Sequence, residues 1–381
     1  MEKKKIIVVC GSLYRRKKTE PCSCGSDLVL EEELENMMPF CQRIDVVSLF
    51  RNDLPEEEKI NKVIIVHRRK IGEIEETIEK LNIINRKTDF IITQLLLCDI
   101  GLKKGAELSI PTIYYVMSLG SKIDISKKGK YSPSKIVSCS NFVGEWIKRE
   151  WGRDDVTTSY PTFNGIRKRL KAKKKELKRI NKKERDFDFL MVNPNKVKGG
   201  EIFFGLAKIF PQFKFGAVMG WENLKNKNKK FDPYLMELMS RAHGEKKVYI
   251  PEEPVPPKIP NLKILKPFKN IEDILIKTDV VLFPSQWEEA FGRVIVEAGL
   301  VGRIVIASYR GGIPEAMEIA GMPKKYMKNL LVKNYSDISS WERAICWYLN
   351  NKDKIPKPVP KIPKSKVEEI LSMNNGGNKV P

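Results

Sequence analysis

A chain of 381 residues, 41% hydrophobic and 31% charged, is too long for one ordinary core and suits two domains. No apolar run reaches the ~18 residues of a membrane-spanning helix, and seven cysteines without regular spacing do not describe a secreted disulfide framework. The net charge of +22 predicts attraction to anions without naming one, and the heavy Lys, Ile and Glu usage resembles a thermophile's, which raises surface charge whatever the function.

Lys3, Lys4 and Lys5 precede an apolar stretch, as in a signal peptide, but Ile6-Ile7-Val8-Val9-Cys10 is short and β-branched and Gly11-Ser12 follows it. It reads as a first buried strand and its turn, so a cytoplasmic enzyme is the simplest expectation. Strands are expected over 5–10, 44–49, 62–66, 89–93, 112–116 and 135–138, with helices over 28–37, 71–81 and 142–151. Such alternation predicts a parallel sheet covered on both faces. Cys22-Ser23-Cys24 reads as reduced thiols in a loop. His67, followed by Arg68-Arg69-Lys70, reads as solvated and structural.

The pattern pauses at Tyr160-Pro161-Thr162-Phe163-Asn164-Gly165. The basic run after it has few core residues and reads as an exposed helix or linker over 163–186. It lacks aromatics, which argues against stacking on single-stranded nucleic acid, and it suits peripheral contact with an anionic membrane surface. A strand over 187–192 opens a second series, continued over 213–219, 247–250, 263–265, 280–283 and 303–307. The predicted fold is α/β, two doubly wound Rossmann-like domains over 1–162 and 187–350 facing a cleft. A Pro-rich segment and a C-terminal helix over 351–381 would cross back to the first domain. Ligands of such sheets sit at the carboxyl ends of the strands.

The stretch from Val280 to Glu315 carries the most chemistry. A strand ends in Pro284-Ser285-Gln286-Trp287-Glu288-Glu289-Ala290-Phe291-Gly292-Arg293, and a helix follows that holds Glu297. A helix mouth with glycine at its entrance is an anion site, because its amides are free and nothing blocks the approach. Arg310-Gly311-Gly312-Ile313-Pro314-Glu315 repeats the device, with proline at a first helical position. Two such mouths side by side suit a diphosphate and a polar ring. Glu289 and Glu297 flank the first, and eight residues of helix separate them by ~12 Å. A retaining glycoside hydrolase needs about 5 Å between its carboxyl groups, so gripping two parts of one long ligand fits better. Taken singly, Glu297 would be a surface carboxylate, Gly311 and Gly312 would be turn formers, and Trp221 and Trp287 would be packing residues.

Together these residues resemble the E-x7-E signature of retaining, GT-B-fold glycosyltransferases of family 4, carried here by Glu289-Ala290-Phe291-Gly292-Arg293-Val294-Ile295-Val296-Glu297. Pro284-Ser285, Gly311-Gly312-Ile313-Pro314-Glu315 and the Lys-Gly element in Asn193-Pro194-Asn195-Lys196-Val197-Lys198-Gly199-Gly200 match the pattern in order and spacing. In the first half the likeness rests on Gly11, Gly25-Ser26-Asp27, Ile110-Pro111 and Ser138-Cys139-Ser140-Asn141. The resemblance implies a nucleotide-sugar-binding second domain and an acceptor-side first domain. Glu289 would contact donor-sugar hydroxyls, helped by the backbone of Phe291 and Gly292, and Glu297 would hold the ribose. Lys198 would neutralise the leaving diphosphate. Ser285, Arg293, Lys196, Gly199, Gly311 and Gly312 would complete the donor site, and Gly11, Gly25, Ser26 and Met117 the acceptor-side loops. It further implies no metal, no cofactor beyond the nucleotide sugar, an acceptor that is a glycan, lipid or small molecule, and no specific nucleic-acid partner.

Two positions depart from the pattern. Val192 and Asn193 stand where an arginine is usual, and Lys196 is a point charge without arginine's fork. Met117 stands where many members carry a histidine. These departures motivate one competing reading, a paralogue that binds a nucleotide sugar without turnover; a GT-B nucleotide-sugar epimerase is the alternative within the same fold.

Overall fold

The run Ile6-Ile7-Val8-Val9 is buried, as a strand covered on both faces must be, and it forms the middle of the first of two sheets. The computed structural model describes residues 2–11, 13, 25–95, 97–119, 131–173, 185–220 and 257–372. Within them the first sheet comprises β1 (Lys4–Val9), β2 (Cys41–Leu49), β3 (Glu57–Lys59), β4 (Ile64–Arg69), β5 (Phe90–Gln94), β6 (Thr112–Val116), β7 (Lys135–Ser138) and β8 (Val156–Thr158). Their order is β3-β4-β2-β1-β5-β6-β7-β8. Every pairing is parallel except that of β3 with β4. Helices α1 (Gly25–Met37), α2 (Ile74–Ile84), α3 (Cys98–Glu107) and α4 (Asn141–Trp151) connect them. The six expected strands are all present. The two outermost strands were not expected, because short edge strands such as Glu57-Glu58-Lys59 carry no apolar alternation and their charge guards an open edge.

His67 corrects an expectation. It is buried, with Nε2 2.8 Å from Asp45 Oδ1 and Nδ1 3.3 Å from Glu57 Oε1. Asp45 also accepts two bonds from the Arg43 guanidinium, at 2.8 and 2.9 Å. His67 stands in register with Val47 of β2 on one side and Glu57 of β3 on the other, so both neighbouring strands flank it.

The second sheet comprises β9 (Phe187–Val192), β10 (Phe215–Val218), β11 (Leu262–Leu265), β12 (Thr278–Phe283), β13 (Ile304–Ser308) and β14 (Leu331–Val332) in the order β11-β10-β9-β12-β13-β14, all parallel. Its helices include α5 (Asn164–Ala172), which enters from the linker, then α6 (Gly200–Ile209), α7 (Glu272–Leu275), α8 (Arg293–Leu300), α9 (Ile313–Ile319), α10 (Met327–Leu330) and α11 (Ile338–Asn351). Strand order reverses between β9 and β12, and the loops leaving two such strands diverge to open a crevice. The strand expected over 247–250, Trp221, and Cys22 and Cys24 lie outside the described residues.

Over 164–173 the basic run does not hang free. Ile166 and Leu170 share one face of α5 and are buried, while Arg169 pairs with the buried carboxylate of Glu272, one bond being 3.1 Å. Lys173 pairs with Asp273. The Pro-rich segment docks on the end of α9, where Val359 and Lys361 donate to Gly321 and Ile319. It then reaches α12 (Val367–Leu371), which packs against α1 of the first domain. There Lys135 Nζ donates to the Glu369 carbonyl at 3.0 Å. Among the described residues no helix is long and apolar enough to cross a membrane.

Candidate active site

The two loops at the reversal point are stitched to each other. After β9, Asn193 and Gly199 both take left-handed backbone (φ 58° and 82°). Asn195 organises the turn between them: its side chain accepts from the Lys198 amide at 2.9 Å and its carbonyl from the Gly200 amide at 2.9 Å. The amide of Gln286, in the loop after β12, donates to the Val197 carbonyl at 2.9 Å. A Cβ on Gly199 would lie 2.0 Å from the Pro284 carbonyl oxygen, so only glycine lets these loops touch.

This contact brings Lys198 and Glu289 together from positions 91 residues apart. Lys198 Nζ donates to Glu289 Oε1 at 2.5 Å, and Ser285 Oγ donates to the same oxygen at 2.8 Å. Glu289 is 9% exposed, turned inward and held by an ammonium and a hydroxyl. The loop after β13 closes over it. Gly312 donates its amide to the Glu289 carbonyl at 2.7 Å. Added Cβ atoms on Gly311 and Gly312 would lie 2.6 Å from the Glu289 carbonyl oxygen and 2.4 Å from the Ala290 one.

Helix α8 begins beside this loop at Gly292, which takes φ 95° and supplies no side-chain cap. Glu297, one turn in, is buried, and burial pushes its carboxyl pKa up; the Arg293 guanidinium opposes the shift and Glu32 adds to it. Arg293 stands 3.4 Å from Glu297 and 3.1 Å from Glu32 of α1. Its guanidinium lies 4.7 Å above the Phe163 ring centroid.

The first domain meets these loops at three more points. Ser140 Oγ donates to the Ala290 carbonyl at 2.5 Å. Glu315 accepts from the amides of Asn141 and Phe142 at 3.0 and 3.3 Å, and from the Tyr160 hydroxyl. A carboxylate from the second domain thus caps α4 of the first, where the helix dipole favours negative charge. Burial and the Glu315 carboxylate both raise the Tyr160 phenol's pKa. The Phe291 ring, buried, lies 6.0 Å from Tyr160 and 6.5 Å from Phe163.

Residues 261–361, which hold Glu289, Glu297 and both glycine-rich mouths, match the family of glycosyl transferases group 1. A 70-residue stretch is 36% identical to an "uncharacterized 42.6 kDa protein in cps region" of Klebsiella pneumoniae, covering 18% of this chain and 17% of that relative's length. Solved structures align far more widely. Sucrose-phosphate synthase from Thermosynechococcus elongatus matches at TM-score 0.60 and 14% identity over 92% of this chain and 91% of its own. HepE from Anabaena, in complex with UDP and glucose, matches at 0.56 and 17% over 92% and 91%. A glycosyltransferase from Rickettsia africae matches at 0.56 and 14% over 92% and 89%. The fold is GT-B.

In this GT-B frame the expected donor residues Glu289, Lys198, Gly199, Phe291, Gly292, Arg293, Glu297, Gly311 and Gly312 gather at the carboxyl edge of β9, β12 and β13. Lys196 shares the loop of Lys198 but is exposed. Three also make contacts within the protein. Ser285 is buried and its hydroxyl is spent on Glu289 and on the Trp287 backbone, so it positions a carboxylate. The amides of Gly312 and Ile313 are taken by the Glu289 and Arg310 carbonyls, so the second mouth braces the first. Arg293 is held by two carboxylates. Trp287, expected as packing, is 50% exposed. On the first domain Gly11 and Met117 are buried, Gly25 is exposed and Ser26 half-buried. A Cβ on Gly25 would lie 3.4 Å from Arg293 Cδ, so this end of α1 faces the mouth of α8.

Sequence reasoning missed Glu32, Tyr160 and Phe163. Glu32 stands in Glu31-Glu32-Glu33, where no periodicity separates an exposed acid from one that meets an arginine 261 residues away.

Proposed function

We propose that this chain is a retaining glycosyltransferase that moves a sugar from a nucleoside-diphosphate donor to an acceptor hydroxyl. The observation that carries the reading is the Lys198–Glu289 pair, 2.5 Å long, at the point where strand order reverses. Glu289 supplies a fixed acceptor for sugar hydroxyls. Lys198, half-buried, keeps further N–H groups for a diphosphate. The amide-lined start of α8 adds donors for the same anion. Glu297 accepts from the ribose hydroxyls beside Arg293.

In the transfer the bond between the anomeric carbon and the phosphate oxygen breaks, and one to the acceptor oxygen forms on the same face. The acceptor's proton passes to the departing phosphate oxygen, so no protein nucleophile is called for. Charge grows on the diphosphate in this step, and Lys198 offsets it where little water competes. The match of residues 261–361 to glycosyl transferases group 1 supports this reading. HepE, alike in fold and solved with UDP and glucose, makes UDP-glucose the first probe to try.

Binding without turnover is the competing reading. It draws on Met117, a buried thioether that can neither give nor take a proton where a histidine is usual. A thermal-shift panel of UDP, GDP, ADP and their sugars tests the site, since about 100 Kd of the right ligand adds ~2.7 kcal/mol. Release of the nucleoside diphosphate then tests turnover, and Glu289→Ala is expected to slow it by about 10²–10³-fold. If no nucleotide sugar stabilises the chain, the donor site is wrong. Binding with a slow release that Glu289→Ala leaves unchanged would favour the non-catalytic reading.

A further inference from the structure

Ser140 caps α4 and at the same time reaches across the domain seam. Its Oγ accepts from the Val143 amide at 3.1 Å and donates to the Ala290 carbonyl at 2.5 Å. A hydroxyl carries one proton. The cap bond occupies a lone pair and leaves that proton for Ala290, so both bonds hold together. Ser140 itself is buried, and water does not reach its hydroxyl.

The consequence lies on the other side of one peptide unit. In a trans peptide the C=O and the next N–H point in opposite directions. Fixing the Ala290 carbonyl toward the first domain therefore aims the Phe291 N–H away from it. The preceding peptide is fixed separately, from inside the second domain, by the Gly312 amide on the Glu289 carbonyl. Gly312 has no room for a Cβ there. The Phe291 amide has no hydrogen-bond partner among the described residues, and it lies between Glu289 and the mouth of α8.

We propose that Ser140 is a positioning residue for the donor: through the Ala290 carbonyl it aims the Phe291 amide at the sugar part of the nucleotide sugar, so the first domain completes a site built in the second. This inference rests on the donor-site reading above. It adds that a residue of the acceptor-side domain, touching no ligand, sets the affinity for the sugar and not for the nucleotide.

The test compares UDP-glucose with UDP by calorimetry on the full chain and two variants. Ser140→Asp keeps an oxygen that caps α4 but has no hydroxyl proton for Ala290. Ser140→Thr keeps both functions. Ser140→Asp is expected to weaken UDP-glucose about tenfold and UDP less than about twofold, and Ser140→Thr to stay within about twofold of wild type for both. Equal weakening of both ligands in Ser140→Asp, or no weakening, overturns the positioning role and leaves the donor site standing. If wild type responds to GDP- or ADP-glucose instead, the same pair of measurements uses that sugar and its diphosphate. If it binds none of the three, the donor-site reading falls, and this inference with it.

Discussion

The two sheets share a parallel, doubly wound centre and differ at their carboxyl edges. Each reverses its strand order beside its own first strand, β1 between β2 and β5, β9 between β10 and β12. On the second sheet that edge carries left-handed glycines, a buried carboxylate and an ammonium 2.5 Å from it. On the first sheet Gly11 and Met117 are buried, and the polar groups Glu32 and Ser140 point at the other domain. Topology places an edge at a cleft, but turn chemistry decides what the edge can do. The second sheet's edge carries the candidate donor groups, and the first sheet's edge contacts the loops that hold them.

Substitutions at the two edges sharpen this contrast. The largest effect is expected from Gly199→Ala, which forces a side chain into left-handed backbone and against the Pro284 carbonyl 2.0 Å away. Strain and overlap together should cost about 4 kcal/mol, read from the urea midpoint of the second domain. An unchanged midpoint would mean that the switch loops do not touch.

Next comes Glu33 of α1, on the bracing side. It is buried, and among the described residues only the Ser159 and Ser365 hydroxyls, at 3.3 and 3.5 Å, satisfy it. Burial pushes its carboxyl pKa up to about 7. A raised acid contributes stability fully below the unfolded value and loses it as pH climbs through about 7. Glu33→Gln should therefore gain on wild type between pH 5 and pH 8, by about 3 kcal/mol at the upper end. Parallel stability curves for the two proteins across that range would show that Glu33 is not buried as described.

The smallest effect is expected from Glu32→Gln. Arg293 keeps Glu297 at 3.4 Å and loses only the charged half of its link across the seam, at about 1 kcal/mol. Small-angle scattering should record a larger radius of gyration for this variant than for wild type. An unchanged radius would show that the seam is closed by Glu315 and Ser140 without this ion pair.

Much of the second domain was legible in advance because its signals are local. Phe187–Val192 is a short aromatic and aliphatic run with the burial of a central strand, and Gly199, Gly292 and Gly311 stand where left-handed turns are needed. Residues with such roles are recognisable by type and spacing. The seam was not legible. Glu315 reads as a helix-start acid, yet its carboxylate caps a helix 174 residues earlier in the chain. Ser140 caps α4, but nothing near it in the sequence announces Ala290. Ser285 shows the same limit: its identity marks the loop, and only the fold reveals that its hydroxyl faces Glu289.

From its sequence alone this chain is an α/β protein of two doubly wound halves with an acidic, glycine-lined motif at the end of a late strand, because strands, turns and helix starts answer to residues a few positions apart. The pairing of Lys198 with Glu289, the commitment of the Gly312 amide and the reach of Ser140 and Glu32 across the seam belong to the tertiary structure. Each joins groups that are distant in the chain, and their meeting depends on how the two sheets twist and dock, which no local pattern encodes.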